Sequence, residues 1–156
     1  MVRDATFGEG GETPLRLRAE SAEDLGVIAA LTQDAVGKVA NVHYAPRRRR
    51  FSLLLYRFRW EDSARAAREK RAHERVAAAL TFDDVLRARA AGLDPRRKDA
   101  VFNLLDIRFE PGEDGAGLIT VACSGASTLH MQVECVNVGL VDLTRPWAAG
   151  GHPQHF

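Results

Sequence analysis

Phe51-Ser52-Leu53-Leu54-Leu55-Tyr56-Arg57-Phe58-Arg59-Trp60 is the stretch on which the fold turns. Aromatic and leucine-rich, and bounded by an arginine run before it and a charged, alanine-rich segment after it, it has the composition of a β-strand. Alternate side chains of a strand face opposite ways. Leu54, Tyr56, Phe58 and Trp60 therefore share one face, and Phe51, Leu53 and Leu55 share the other, which Arg57 and Arg59 continue. The expectation is a strand buried on both faces at its start and on one at its end, with Arg57 and Arg59 on the exposed side.

Upstream of this strand, Pro46 and the run Arg47, Arg48, Arg49 and Arg50 form a hairpin turn, and 38–45 is its partner strand. Ser21-Ala22-Glu23-Asp24 has the form of a helix start, with Ser21 as N-cap and acids in the first turn, where the helix dipole favours them. Leu25, Ile28, Leu31 and Ala35 follow at helical spacing, and Gly37 is the expected stop. Leu15-Arg16-Leu17-Arg18 alternates like a short strand.

Downstream, 76–91 is one bent strand or two, with Asp83-Asp84 as the break, and 92–99 is a turn-rich connection. The strand at 100–110 is expected to point Val101, Leu105, Ile107 and Phe109 inward, and Pro111 to Gly115 is a turn. Residues 118–123 and 128–135 make a hairpin around Gly125-Ala126-Ser127, with Cys123 opposite Leu129. In 136–143, Val136, Leu140 and Leu143 fit a helix face, and a short C-terminal helix is expected. Together these elements predict an α+β domain over 14–147: an antiparallel sheet or partly open barrel of six to seven strands, PH-like in element order, preceded by one helix and capped by another. Residues 1–13 have the composition of a disordered leader, 61–72 of a mobile basic loop, with a short helix as the alternative, and 148–156 of a flexible tail.

Composition agrees. With 156 residues, 46% apolar and 28% charged, the chain suits one soluble domain. No apolar run approaches the roughly 18 residues of a membrane span, and no secretory signal is visible, so a cytoplasmic location is expected. Two cysteines, Cys123 and Cys135, make neither a disulfide framework nor a four-cysteine zinc site, and are expected as buried free thiols.

No dinucleotide or phosphate-loop glycine motif, no metalloprotease helix, no nucleophile elbow and no Cys-x-x-Cys is present. His43 and His130 fall on strands, His73 in the charged loop, and His152 and His155 on the tail, without carboxylate or thiolate companions. No metal, cofactor or catalytic residue is assigned, and the chain is expected to be non-catalytic.

Net charge is +1, but unevenly spread. Residues 47–75 hold 11 of the 22 basic residues and 4 of the 21 acids, a local +7 against −6 for the remainder. Arginine outnumbers lysine 19 to 3, a bias that also scatters arginine over solvated faces. The candidate binding residues are Arg47, Arg48, Arg49 and Arg50 in the turn and Arg57 and Arg59 at the far end of the strand, beside Arg65, Arg68, Lys70 and Arg71. At about 3.3 Å per residue the two groups lie roughly 30 Å apart. Guanidinium groups suit phosphate or carboxylate. Tyr56 and Trp60 face away from Arg57 and Arg59, which weakens a nucleic-acid reading. Asn103 interrupts the inward face of its strand. A buried amide needs hydrogen bonds, so it either satisfies backbone groups at a bulge or lines a ligand pocket.

Asp24-Leu25, Gln33-Asp34-Ala35-Val36, Arg50-Phe51, Arg57-Phe58-Arg59-Trp60-Glu61, Asn103-Leu104-Leu105-Asp106-Ile107-Arg108-Phe109-Glu110-Pro111, Val133-Glu134-Cys135 and Pro146-Trp147 also form a pattern. It resembles that of a family of small alphaproteobacterial proteins known only as a domain of unknown function, over 14–147. The resemblance implies a cytosolic bacterial protein and assigns no activity. The functional expectation is a binding or adaptor module contacting an acidic protein or polyanion through 47–75, with homodimerisation through a sheet edge as an addition. The alternative is a small-molecule binder or small enzyme with a pocket at one end of the sheet near Asn103.

Overall fold

The computed structural model describes residues 2–3, 14–60, 74–144 and 147–148. In chain order the elements are β1 (Val2–Arg3), β2 (Arg16–Ala19), α1 (Ala22–Leu31), β3 (Val36–Ala45), a 3-10 turn (Pro46–Arg48), β4 (Arg50–Phe58), β5 (Glu74–Phe82), β6 (Val85–Ala91), β7 (Val101–Pro111), β8 (Gly117–Cys123), β9 (Ser127–Val133), β10 (Val138–Asp142) and β11 (Trp147–Ala148). The strands form one antiparallel sheet in the order β1-β2-β10-β5-β4-β3-β7-β8-β9-β6, with β11 beside β5. Nine strands carry the sheet, and the two-residue β1 and β11 extend it, so the expected six to seven were too few. The leader and tail lie outside the described residues apart from these two short strands, as does 61–72.

Alternation holds along the whole of β4: Phe51, Leu53, Leu55 and Arg57 are buried, and Ser52, Leu54, Tyr56 and Phe58 between them are half-buried. β4 lies at the centre of the sheet, paired with β3 and β5. α1 begins as expected, with Ser21 Oγ accepting from Asp24 N at 3.1 Å. It buries Leu25 and Ile28 and touches both β2 and β7, which four strands separate in the sheet. The sheet therefore coils around the helix.

The helix stops at Leu31, with Thr32 as its C-cap: Thr32 N donates to Ile28 O at 3.0 Å and Thr32 Oγ1 to the same oxygen at 2.8 Å. Gly37 is not the stop but a residue of β3. A Cβ there would lie 2.6 Å from the Phe102 ring, so glycine is required by close packing between strands.

The expected C-terminal helix is a strand. β10 is laddered on one side to β2 and on the other to β5, and nearly all of it is buried. A strand covered on both faces shows a continuous apolar run without alternation, and Val138 and Val141 are β-branched, which favours the extended form. Of the PH-like arrangement, the bent antiparallel sheet is present and the capping helix is not.

Two registers also differ from expectation. In β7, Phe102 and Leu104 are buried while Val101 and Leu105 are exposed. A bulge at Leu105 then shifts the phase so that Ile107 faces the core. In the β8–β9 hairpin Cys123 pairs with Ser127 and Val121 with Leu129. The three-residue loop is Ser124-Gly125-Ala126, one position earlier than expected, with Ala126 at φ +58° and Gly125 at +72°. The faces of the hairpin are unchanged by this shift.

β5 and β6 are two halves of one bent strand, broken at Asp83-Asp84 as expected, and the bend carries the chain from the middle of the sheet to its far edge. Val85 N donates to Arg49 O at 2.9 Å. Beyond that bond β6 is laddered to β9 alone, and the sheet does not close.

Candidate basic surface at the open seam

Pro46 at the head of the 3-10 turn pre-sets its φ. The turn ends at Arg49 in the left-handed region (φ 52°), with Arg49 N donating to Pro46 O at 3.1 Å. Arg49 Nη1 lies 3.2 Å from Glu134 Oε2, and Arg50 Nε lies 2.7 Å from Asp83 Oδ1. Two of the four arginines thus hold the turn against the end of β9 and the β5–β6 corner. Arg47 and Arg48 are exposed and make no polar contact among the described residues.

The corner below the turn is fully satisfied. Asp84, at φ +58°, accepts from Asn137 Nδ2 at 2.9 Å and from Cys135 Sγ at 3.4 Å, and its backbone oxygen accepts from Glu134 N at 2.9 Å. Asp83 N donates to Asn137 O at 2.9 Å, and Arg18 donates to the Asn137 side chain. The Asn137 hydrogen bond, with that from Cys135, holds the Asp84 carboxyl below its ordinary range, while burial and the bond to Asp84 push the Cys135 thiol up. A thiol kept protonated is a poor nucleophile. Cys123, as expected, is a buried free thiol, pushed up to about 11 by burial. Cys135 is also free but only partly buried.

Arg57 is not on an exposed face. Its side chain is wholly buried, and Nε and Nη2 each donate at 2.9 Å to the two oxygens of Asp142 on β10. Asp142 Oδ2 also accepts from Leu15 N at 3.2 Å, and Arg57 Nη1 donates to Phe58 O at 3.0 Å. The pair is a planar, two-point guanidinium–carboxylate contact that consumes the donors a ligand would need. Arg59 is half-buried and engaged within the protein. Close by, Trp60 Nε1 donates to Gln33 O at 2.9 Å, its ring centroid is 5.4 Å from that of Phe58, and Arg75 stacks over Phe58 at 4.2 Å. Among the described residues the two arginine groups therefore differ in kind: Arg47 and Arg48 are exposed on the turn, whereas Arg57 is buried and Arg59 half-buried, and Arg65, Arg68, Lys70 and Arg71 lie outside the described residues.

Asn103 is where β7 exchanges partners, pairing with Val36 on β3 just before the ladder to β8 begins. Its backbone N donates to Ser124 Oγ at 2.9 Å, its oxygen accepts from Ser124 N at 2.9 Å, and its amide Nδ2 donates to Asp34 O at 3.4 Å. Of these bonds only the last is made by the Asn103 side chain, and it goes to a backbone oxygen.

Two concave features lie along β6. Where β6 fails to reach β4, a seam cavity of about 160 Å³ opens, lined by Val39, Val42, Phe51, Ala90 and Leu129, with Lys98 also in its wall. On the outer side of the same strand a shallow cavity of about 280 Å³ is lined by Arg87, Arg89, Leu118, His130 and Gln132. His130 is held between hydroxyls, with Thr120 Oγ1 3.5 Å from Nδ1 and Thr128 Oγ1 3.1 Å from Nε2. Arg87 and Arg89 are exposed and have no polar partner among the described residues. Sequence reading missed them. The alternation Arg87-Ala88-Arg89-Ala90 was the available signal, eclipsed by the denser run at 47–50.

Among the described residues no group of three or more histidine, cysteine, aspartate or glutamate side chains is placed to hold a metal ion, and no helix is long and apolar enough to cross a membrane. No curated protein and no solved structure matches the chain. The family model of a protein of unknown function, DUF2948, matches residues 15–155, and the chain belongs to that family.

Proposed function

We propose that the protein is a non-catalytic, cytoplasmic binding module that engages an acidic or phosphate-bearing partner through the basic turn. The observation that carries this reading is the division of labour in the turn: Arg49 and Arg50 pair with Glu134 and Asp83 and tie the turn to its neighbours, while Arg47 and Arg48 are exposed and have no counterion among the described residues. A rigid donor loses less freedom on binding than a mobile one. Arg57, expected in the second arginine group at the far end of β4, is in the core instead.

The test is binding of the purified chain to heparin, single-stranded RNA and duplex DNA across a salt series, beside the Arg47→Ala/Arg48→Ala variant. The expected result is polyanion binding by the parent, with the variant's salt slope smaller in magnitude by about 2. Equal binding by both proteins would remove the turn from the site.

A second reading, small-molecule binding, is favoured by the seam cavity rather than by any pocket at Asn103. Its apolar walls and Lys98 suit a short apolar carboxylate. Its check is release of such a ligand on denaturing freshly purified protein.

A further inference from the structure

We infer that β6 is a docking edge for an extended acidic segment of another protein, which adds to the sheet as a further strand. The inference rests on the reading of the basic turn as a binding surface and names the partner chemistry.

β6 is seven residues long, ends the sheet, and pairs on one side only. From residue 86 to 91 the other side offers backbone donors and acceptors to whatever approaches, since among the described residues no strand is laddered there. Strand addition uses such groups for affinity and uses the alternation of side chains for specificity. Here the alternation meets two different environments. A strand laid against β6 points every second side chain inward, over the apolar seam cavity beside Ala90, Phe51 and Leu129. The intervening side chains point outward, beside Arg87 and Arg89. The complementary segment therefore alternates apolar and acidic residues. The ends agree: Arg47 and Arg48 stand beyond the Val85 end of β6, where Arg49 O meets Val85 N, and Lys98 stands in the wall of the seam cavity.

Charge also argues against a second copy of this chain as the occupant. Pairing β6 with itself in antiparallel fashion sets arginines against arginines across the new ladder, an arrangement that disfavours self-association.

The test is selection of displayed random peptides on the full chain, followed by amide exchange with a synthetic peptide of the selected sequence. The expected consensus is an apolar residue flanked on both sides by Asp or Glu, and the peptide is expected to slow exchange over 86–91. Ala90→Arg, at an exposed position, blocks the cavity mouth, and Arg87→Glu/Arg89→Glu reverses the outer charge. Each is expected to weaken the peptide by about tenfold or more while leaving the circular dichroism of the fold unchanged. Selection without a consensus, or protection that falls elsewhere than 86–91, overturns the inference. So does peptide affinity unchanged in both variants. If polyanion binding is lost in Arg47→Ala/Arg48→Ala and yet no peptide is selected, the basic-turn reading stands and this one fails. If the peptide docks at 86–91 on a chain indifferent to polyanions, the reverse holds.

Discussion

Arg50 and Arg57 stand at the two ends of one strand and make the same kind of contact with an aspartate, yet they have little else in common. The Arg50 side chain is 52% exposed and its partner Asp83 16%, whereas Arg57 is 0% exposed and Asp142 5%. Parity along β4 decides the difference. Odd positions of the strand face the core, and Arg57 follows Phe51, Leu53 and Leu55 inward, while Arg50 is even. Burial of a charge is tolerable only with a counterion and hydrogen bonds in place. Asp142 sits one strand beyond β5, where Ala78 pairs with both Leu55 and Asp142.

The largest loss of stability is expected at the buried end. Asp142→Ala strands a guanidinium in the core and also removes the acceptor of Leu15 N, so a loss of about 3–5 kcal/mol is expected in urea unfolding. A loss below 1 kcal/mol would mean that water reaches Arg57. The paired replacement Arg57→Met/Asp142→Leu sharpens the point, because it removes both charges together. It is expected to restore stability to within about 1 kcal/mol of the parent or to exceed it.

At the corner beneath Arg50, Asp84→Ala removes an acceptor from Asn137 and Cys135 and relaxes nothing else of that size, with an expected loss of about 1 kcal/mol. Its pH signature is specific. A carboxyl depressed from its ordinary 3.8 contributes stability above that value, and the contribution is lost as pH falls through the folded-state value. A thiol raised above its ordinary 9.0 contributes fully below that value, and the contribution is lost as pH rises through the folded-state value. The parent is thus expected to hold a plateau between these limits, and Asp84→Asn to flatten its acid side in a pH series of unfolding midpoints. The exposed end is expected to matter least. Arg50→Ala should cost about 0.2–1 kcal/mol, declining in high salt, as read from the same denaturant curves.

How much of this was legible beforehand follows from the same parity. Alternation locates β4 and the β8–β9 hairpin, Asp83-Asp84 the β5–β6 break and the Ser21 cap the helix start, because each depends on residues close in sequence, and the alternation along β4 holds more. It also contained the burial of Arg57, since Phe51, Leu53, Leu55 and Arg57 are one face. Charge was allowed to override the pattern, because the residue that makes burial tolerable lies 85 positions away in a segment whose spacing imitated a helix. β10 owes its form to β2 and β5 on its two sides, and no local pattern reports that. The β7 phase slipped for a related reason: one bulged residue, Leu105, reverses the reading of everything before it. At the candidate site, the arginine run is plain in the sequence but not its division into two paired members and two with no partner among the described residues, which needs Glu134 and Asp83 brought near. Arg87 and Arg89 became notable only once β6 proved to be an edge.

The bidentate pair between β4 and β10 also sets a clock for synthesis. Arg57 leaves the ribosome long before Asp142 does, and at about 5–20 residues per second the interval is about 4–17 s. During it, the central strand carries Arg57 without its Asp142 partner on the face that must become the interior. The β4 end of the core cannot seal early around a partial chain, so this end of the sheet is completed late, when the last full strand slides between the first and the middle ones.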